Sequence, residues 1–365
     1  MPPAPLRAAA LAVVLTALAA CAPHRGTVPA GRFYAERPYG SEAEFNPLTE
    51  IVNEGFDMLR TDFADRHVLR FPYGIAAGNV AHSLANPGRA WRRFGWGNVV
   101  RGELLPLSLR ASGGGQWLPN YEFHLLGSGM ISARMTEWYA AHGAPHPALL
   151  SGATMMSAHL LNEMIENGDS RLPNEDAVTD LYVFDLGGIL LFGSDRVQRL
   201  FSERLELTNW PGQASFDVAR RTLENAGQQY VLRVPLPRTS RVRLFYAFGV
   251  STLGGVSVGR RGGTGVSLGV GADVVDNPVV DPATGRRTAV LRPNAGVFVD
   301  RGGSLLASLV RTSTSDALVT ANVYPGVVRV LGLSPGVWVQ ALRGGGVRAG
   351  LAAPLGLGVA VTRVR

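Results

Sequence analysis

Two hydrophobic periods divide the chain. Between about residues 47 and 205 apolar positions recur at helical spacing, and the pattern predicts helices over 48–63, 74–85, 121–142, 148–167, 175–192 and 196–205. Turn-forming stretches such as "NPGR", "SGGGQWLPN", "HGAPHP" and "FGSD" separate them. Asn174 is a capping residue for the fifth, with Glu175 and Asp176 behind it at the positive end of the helix dipole. Several of these helices are apolar around most of their circumference, which predicts a buried layer or contact with lipid.

From residue 229 the period falls to two. In "TGVSLGVGADV" Val266, Leu268, Val270, Ala272 and Val274 share one face, and Ser267, Gly269, Gly271 and Asp273 the other. "RVRLFYAFGVS" and "GVRAGLAAPLGLGVAVTRV" repeat the alternation, and glycine-rich turns ("GRRGGTG", "DRGGS", "LRGGG") stand between the runs. About eight strands are predicted: 229–236, 241–251, 253–260, 264–274, 287–299, 304–312, 317–330 and 335–362, the last a hairpin broken near 344–346. Runs of about ten residues suit tilted strands that cross an outer membrane. A face of Gly, Ala and Ser leaves room inside for a plug, water or helices, and Asp273, Arg292, Asn294 and Asp300 are candidates to line such a lumen. The expected fold is therefore α+β: an N-terminal helical layer followed by an antiparallel β-barrel or barrel-like sheet of about eight strands. An open sheet or sandwich in the periplasm is the soluble alternative, and the ending "VTRVR" departs from the terminal aromatic usual in outer-membrane barrels.

The first 20 residues carry one positive side chain and a short apolar run, a secretory signal too short to span a membrane. The run Leu18, Ala19, Ala20, Cys21 resembles the bacterial lipobox. That resemblance implies cleavage before Cys21, its modification by diacylglycerol and an N-acyl chain such as palmitate, and, with Ala22 rather than aspartate following, lipid anchoring in the outer membrane. The implied organisation is a signal peptide (1–20), a lipidated tether rich in Pro and Gly (21–46), a helical region (47–205), a connector (206–228) and the β region (229–365). Cys21 is the only cysteine, which excludes disulfides within the chain and multi-cysteine zinc sites. Net charge is +7, yet all 35 basic residues are arginines scattered through the chain. They form no basic face of a nucleic-acid-binding fold. Expected partners are membrane lipid, through Cys21 and the β region, and envelope proteins, with no nucleic acid.

Candidate chemistry lies in the helices. His159 and Glu163 are four apart, with Glu166 three further on, and share a helix face. His124 sits in "FHLLGSG"; Asp176 and Asp180 share a face; Asp185 is embedded in "LYVFDLGGILLF". An ionised carboxylate there is costly unless paired, and Arg134 and the histidines are its candidate partners. Two readings compete. One is a metal or acid/base centre, with His159, Glu163, Asp180 and Asp185 as catalytic candidates and His124, His159 and Glu163 as metal ligands. The other is a polar seam whose members pair with one another and with arginines. The chain lacks H-E-x-x-H, paired E-x-x-H, a P-loop and a G-x-S-x-G elbow, and no residue is assigned to cofactor binding. The functional expectation is an outer-membrane lipoprotein with a structural or envelope role and no catalytic motif. The alternatives are a membrane-associated metal-dependent hydrolase and a periplasmic module that binds an apolar ligand or a protein.

Overall fold

The computed structural model describes residues 31–60, 66–105, 117–166, 176–237, 241–249, 251–280, 287–312, 316–329, 332–353 and 356–364, with backbone alone for 117–119, 275–280 and 287–290. The signal sequence, Cys21 and the capping Asn174 lie outside the described residues.

Helix α1 (Pro47–Gly55) starts where the chemistry of its first turn demands it. The Asn46 side chain accepts the N–H groups of Leu48 and Thr49, both at 3.0 Å, and Pro47 occupies a position that needs no donor. A 3-10 turn, Asp57–Arg60, follows, so the helix predicted to reach residue 63 ends early. Next come α2 (Tyr73–Ala85) and α3 (Pro87–Phe94); then a π-helical stretch, Trp117–Ser128, runs into α4 (Gly129–Ala141). Helix α5 (Pro147–Glu166) packs against α1 and α4. A short α6 (Asp176–Thr179), a π-turn (Asp180–Asp185) and α7 (Leu186–Phe192) make one rod, and α8 (Asp195–Arg199) leaves it at a bend of 80° before the π-turn Leu200–Arg204. Among the described residues no single helix is long and apolar enough to cross a membrane, although the bent pair Asp176–Phe192 and Asp195–Arg204 passes that test together.

Residues 32–46, expected to belong to a tether, are packed instead. The Glu137 carboxylate accepts the N–H groups of Arg32, Phe33 and Tyr34, each at 2.8 Å, while Tyr34 and Phe45 are buried in the helical core with Met130, Trp138 and Tyr139. The buried Glu42 carboxylate lies 3.2 Å from Arg134, whose guanidinium also stands over the Phe45 ring. The reason is chemical: the aromatic and acidic residues of this stretch find apolar and cationic partners on α4.

The β region is larger than expected. Among the described residues thirteen strands form one mixed sheet in the order β1-β4-β5-β6-β7-β8-β9-β10-β11-β12-β13-β2-β3, open between the edges β1 and β3. Three short strands, β1 (Thr208–Asn209), β2 (Ser215–Asp217) and β3 (Thr222–Glu224), come from the expected connector. They are followed by β4 (Gln229–Pro235), β5 (Val242–Gly249), β6 (Ser251–Gly259), β7 (Thr264–Val280), β8 (Arg287–Arg301), β9 (Ser304–Arg311) and β10 (Ala317–Val323). The stretch 335–362, expected to be one hairpin, holds β11 (Gly336–Leu342), β12 (Gly346–Ala352) and β13 (Gly358–Val364). An eight-strand closed barrel is thus corrected to an open thirteen-strand sheet. Turn residues account for the count: positive φ at Gly345 and Gly346, and again at Gly356, breaks the apparent run twice. One extended segment, 208–217, pairs with β4 at its start and, in parallel, with β13 at its end. The bonds from Trp210 N–H to Gln229 and from Gly358 N–H to Ala214 continue both pairings.

The buried face of the sheet mixes polar side chains with an aromatic and aliphatic cluster. Ser257, Ser267, Asp273, Asn294, Asp300, Asn322, Gln340, Arg233, Arg243 and Arg348 are buried, as are Trp210, Phe245, Phe298 and Tyr324 among them. Of the four proposed lumen residues, Asp273, Asn294 and Asp300 are on this buried face, and Arg292 is exposed. Glycines give the aromatics their room. A Cβ on Gly350 would lie 2.5 Å from the Trp338 indole, and one on Gly269 2.9 Å from the Phe245 ring. The other face turns aliphatic side chains outward, with Leu268 50 % and Val270 70 % exposed. Strand register lines them up: Val234, Leu244, Val256, Leu268, Val297, Leu309, Ala321, Val339, Ala349 and Val361 are successive pairing partners across ten strands. A parallel row runs through Val242, Val258, Val266 and Val299.

Candidate functional site

The helical layer buries an unusual share of acid. On α1 Glu50, Asn53, Glu54 and, one turn on, Asp57 recur at i, i+3, i+4 and i+7, the spacing of a single helix face, and all four are buried. This stripe faces α5 and the start of β4. Asn162 Nδ2 donates to the Glu54 carbonyl, Tyr230 Oη donates to Glu54 Oε2 at 3.1 Å, and Gln228 Nε2 donates to Glu50 Oε1. Sequence reasoning did not single these residues out. The i, i+3, i+4, i+7 repeat was legible, but such a polar stripe ordinarily marks a solvent face.

At the centre of the layer His124, His159 and Asp185 meet. His124 Nδ1 shares a 2.9 Å hydrogen bond with Asp185 Oδ1, and His159 Nδ1 lies 2.9 Å from Asp185 Oδ2. The second nitrogen of each ring faces another carboxylate: His124 Nε2 is 3.7 Å from Asp180 Oδ2, and His159 Nε2 is 3.5 Å from Glu54 Oε1. The ring centroids are 5.3 Å apart. Glu163 completes the group, with donor atoms of His124, Glu163 and Asp180 all within 4.8 Å of one another. All five residues expected to form a centre therefore converge, whereas Glu166 is exposed. Arg134 is corrected as a partner for Asp185: it is held by Glu42 and Asn209 on the far side of α4.

Local backbone explains the convergence. In an α-helix residues five apart point well away from each other, but Asp180 and Asp185 span a π-turn, whose i to i+5 bonding brings them to one side. His124 lies within the other π-helical stretch, and its backbone approaches α7 where Gly188 leaves space: a Cβ there would meet the Leu125 carbonyl oxygen at 2.6 Å. His159 and Glu163 come from one face of α5.

The electrostatics follow from burial and from the two imidazoles placed among the carboxylates. Burial alone would push the Asp185 carboxyl up, but the imidazoles of His159 and His124 outweigh it and hold it down at about 2. Burial works against charge on His124, yet Asp180 and Asp185 prevail and lift it to about 10. The remaining acids go the other way. Burial drives Glu163 and Asp180 well above the usual carboxylate range, His124 opposing it only in part for Asp180, and raises Glu54 and, to about 7, Asp57.

A pH dependence follows for the protein with protons alone to balance these charges. The depressed Asp185 contributes stability above its unfolded value near 4, lost as pH falls toward about 2. The raised His124 contributes below its unfolded value near 6.5, lost as pH rises toward about 10. Asp57, raised to about 7, and the other raised acids favour the folded state at low pH, and that contribution is lost as pH climbs from about 4 through 7. Chelator-treated protein is therefore expected to unfold at a higher temperature at pH 5 than at pH 8. A midpoint that rises steadily over that interval would contradict this balance of charges.

No protein-family model matches the chain, and neither a curated protein nor a solved structure matches it.

Proposed function

We propose that the protein is an outer-membrane lipoprotein whose sheet sits in the bilayer, serving a structural role in the envelope and carrying a covalent lipid at Cys21. The observation that carries this reading is the outward row of ten aliphatic side chains from Val234 to Val361, backed by a buried face that holds polar and charged side chains beside an aromatic cluster. In water such a face would expose a large continuous apolar patch, a liability for a soluble protein. In a bilayer it is the expected arrangement, lipid-facing aliphatics alternating with a polar interior. The run also has a suitable length: Val266 to Val274 is a stretch of nine residues of β7, within the roughly 9–11 that a tilted membrane-crossing strand needs. Arg311 and Arg363 stand at strand ends two residues past the central row, and their long side chains can reach from there toward the headgroups.

Burial of the acid and histidine cluster favours this reading over a hydrolase, since His159 is 1 % and Asp185 2 % exposed and a substrate could touch them only if the layer opened. The cavity of about 120 Å³ is lined by a mixture of polar side chains, Arg60, Arg66 and Glu224 among them, and apolar ones such as Leu253, Phe298 and Leu305.

The test separates the lipid anchor from the sheet. A Cys21→Ser variant, unable to be acylated, is expected to stay with the membrane fraction through high salt and to be released only by detergent. Release of that variant by salt alone, as a monodisperse species in detergent-free buffer, would sink the proposal.

A further inference from the structure

We propose that His124, His159 and Asp185 bind a divalent transition-metal ion that cross-links three helical segments. The three residues come from the π-helical stretch before α4, from α5 and from the end of the π-turn before α7. Their donor atoms lie within 4.8 Å of one another. Ligands held about 2.0–2.2 Å from one centre are separated by about 3 to 4.3 Å, so the cluster needs only small adjustments to close on an ion.

Three observations point to a cation rather than to hydrogen bonds alone. First, His159 is 1 % exposed and among the described residues neither ring nitrogen makes a well-aligned hydrogen bond, although Nδ1 is only 2.9 Å from Asp185 Oδ2. The atoms approach without the alignment a shared proton requires, as two ligands of one ion do. Second, each imidazole has a carboxylate at both nitrogens: Asp185 and Asp180 for His124, Asp185 and Glu54 for His159. A neutral ring has one N–H and cannot satisfy two carboxylates, and two imidazolium rings 5.3 Å apart would repel. A dication at the Nδ1 atoms removes the conflict. Each Nε2–H then donates outward to Asp180 or Glu54, the carboxylate–histidine–metal pattern that orients ligating imidazoles. Third, among the described residues the buried oxygens Asp185 Oδ2, Asp180 Oδ1 and Glu54 Oε1 make no hydrogen bond. Two imidazoles and a carboxylate are a donor set for zinc, iron or manganese, and no sulfur ligand is required.

Burial of the whole cluster argues for an ion that holds the layer together. The test uses the detergent-solubilised full chain, stripped with chelator and titrated with Co²⁺ and Zn²⁺ as probes. One equivalent of Co²⁺ per chain is expected, with a visible d–d spectrum. His124→Gln and His159→Gln should each weaken binding by at least tenfold, while His82→Ala, which removes an exposed imidazole elsewhere, should leave it unchanged. X-ray absorption on the Zn²⁺-loaded wild type provides a readout that does not depend on variants folding, and is expected to show two imidazoles in the coordination sphere. No binding at one equivalent, binding unaffected by both histidine variants, or a coordination sphere without imidazole would each overturn the proposal.

Discussion

An Asp185→Ala variant is expected to lose about 3–5 kcal/mol of stability, the range for removing one partner of a buried charge pair. Asp185 is the hub of the cluster, within 2.9 Å of both His124 and His159. Its removal leaves two buried imidazoles, one of them lifted toward a permanent positive charge by acids at hand. The substitution also opens a void under α7, but a cavity from so small a side chain adds less than the stranded charge does. Asp185→Asn keeps the shape and makes the distinction measurable: it should lose nearly as much if charge dominates. Denaturant unfolding in micelles followed by tryptophan fluorescence reads both. A loss below about 1 kcal/mol for the alanine variant would mean that the cluster is neutralised without this carboxylate.

The second large effect concerns the outer face of the sheet. Leu268 is central in the outward row, with Val256 on one neighbouring strand and Val297 on the other. Leu268→Arg should cost about 2–4 kcal/mol in a lipid bilayer, the penalty for arginine at the midplane of a barrel's lipid-facing surface. The same change on a surface bathed in water falls within about 0.5 kcal/mol. Folding measurements in lipid vesicles therefore distinguish the two environments of one side chain. A value near zero there would remove the main support for the sheet as a membrane element.

Much of the architecture was legible because period is robust. The change from helical period to a period of two, the face assignment of Val266, Leu268 and Val270 against Ser267 and Asp273, and the helices around His124 and His159 all survive in the structure, although the first strand begins at Thr208. The strand count did not, for a local reason. "GVRAGLAAPLGLGVAVTRV" keeps its alternation in phase across the turn at Gly356, so two strands read as one. Strands of two or three residues in 206–228 carry too few positions to show any period. In the site, the five predicted residues converge because an π-turn places Asp180 with Asp185, a spacing that α-helical reasoning assigns to different faces. Glu54 escaped notice because only the tertiary fold says which side of α1 is turned inward.

The segment 208–217 has a consequence for assembly. Its far end is bonded to β13, and Thr362 Oγ1 donates to Asp217 across 145 residues of chain. Closing so long an excursion costs little more in equilibrium entropy than closing one half its length, because the penalty grows only as the logarithm. The cost falls on time instead, since non-local pairings form slowly and late. Until β13 docks, β2 presents the backbone groups of one edge unpaired beside an outward apolar face, so the partly folded chain is at greatest risk of pairing with a neighbour just before it is complete.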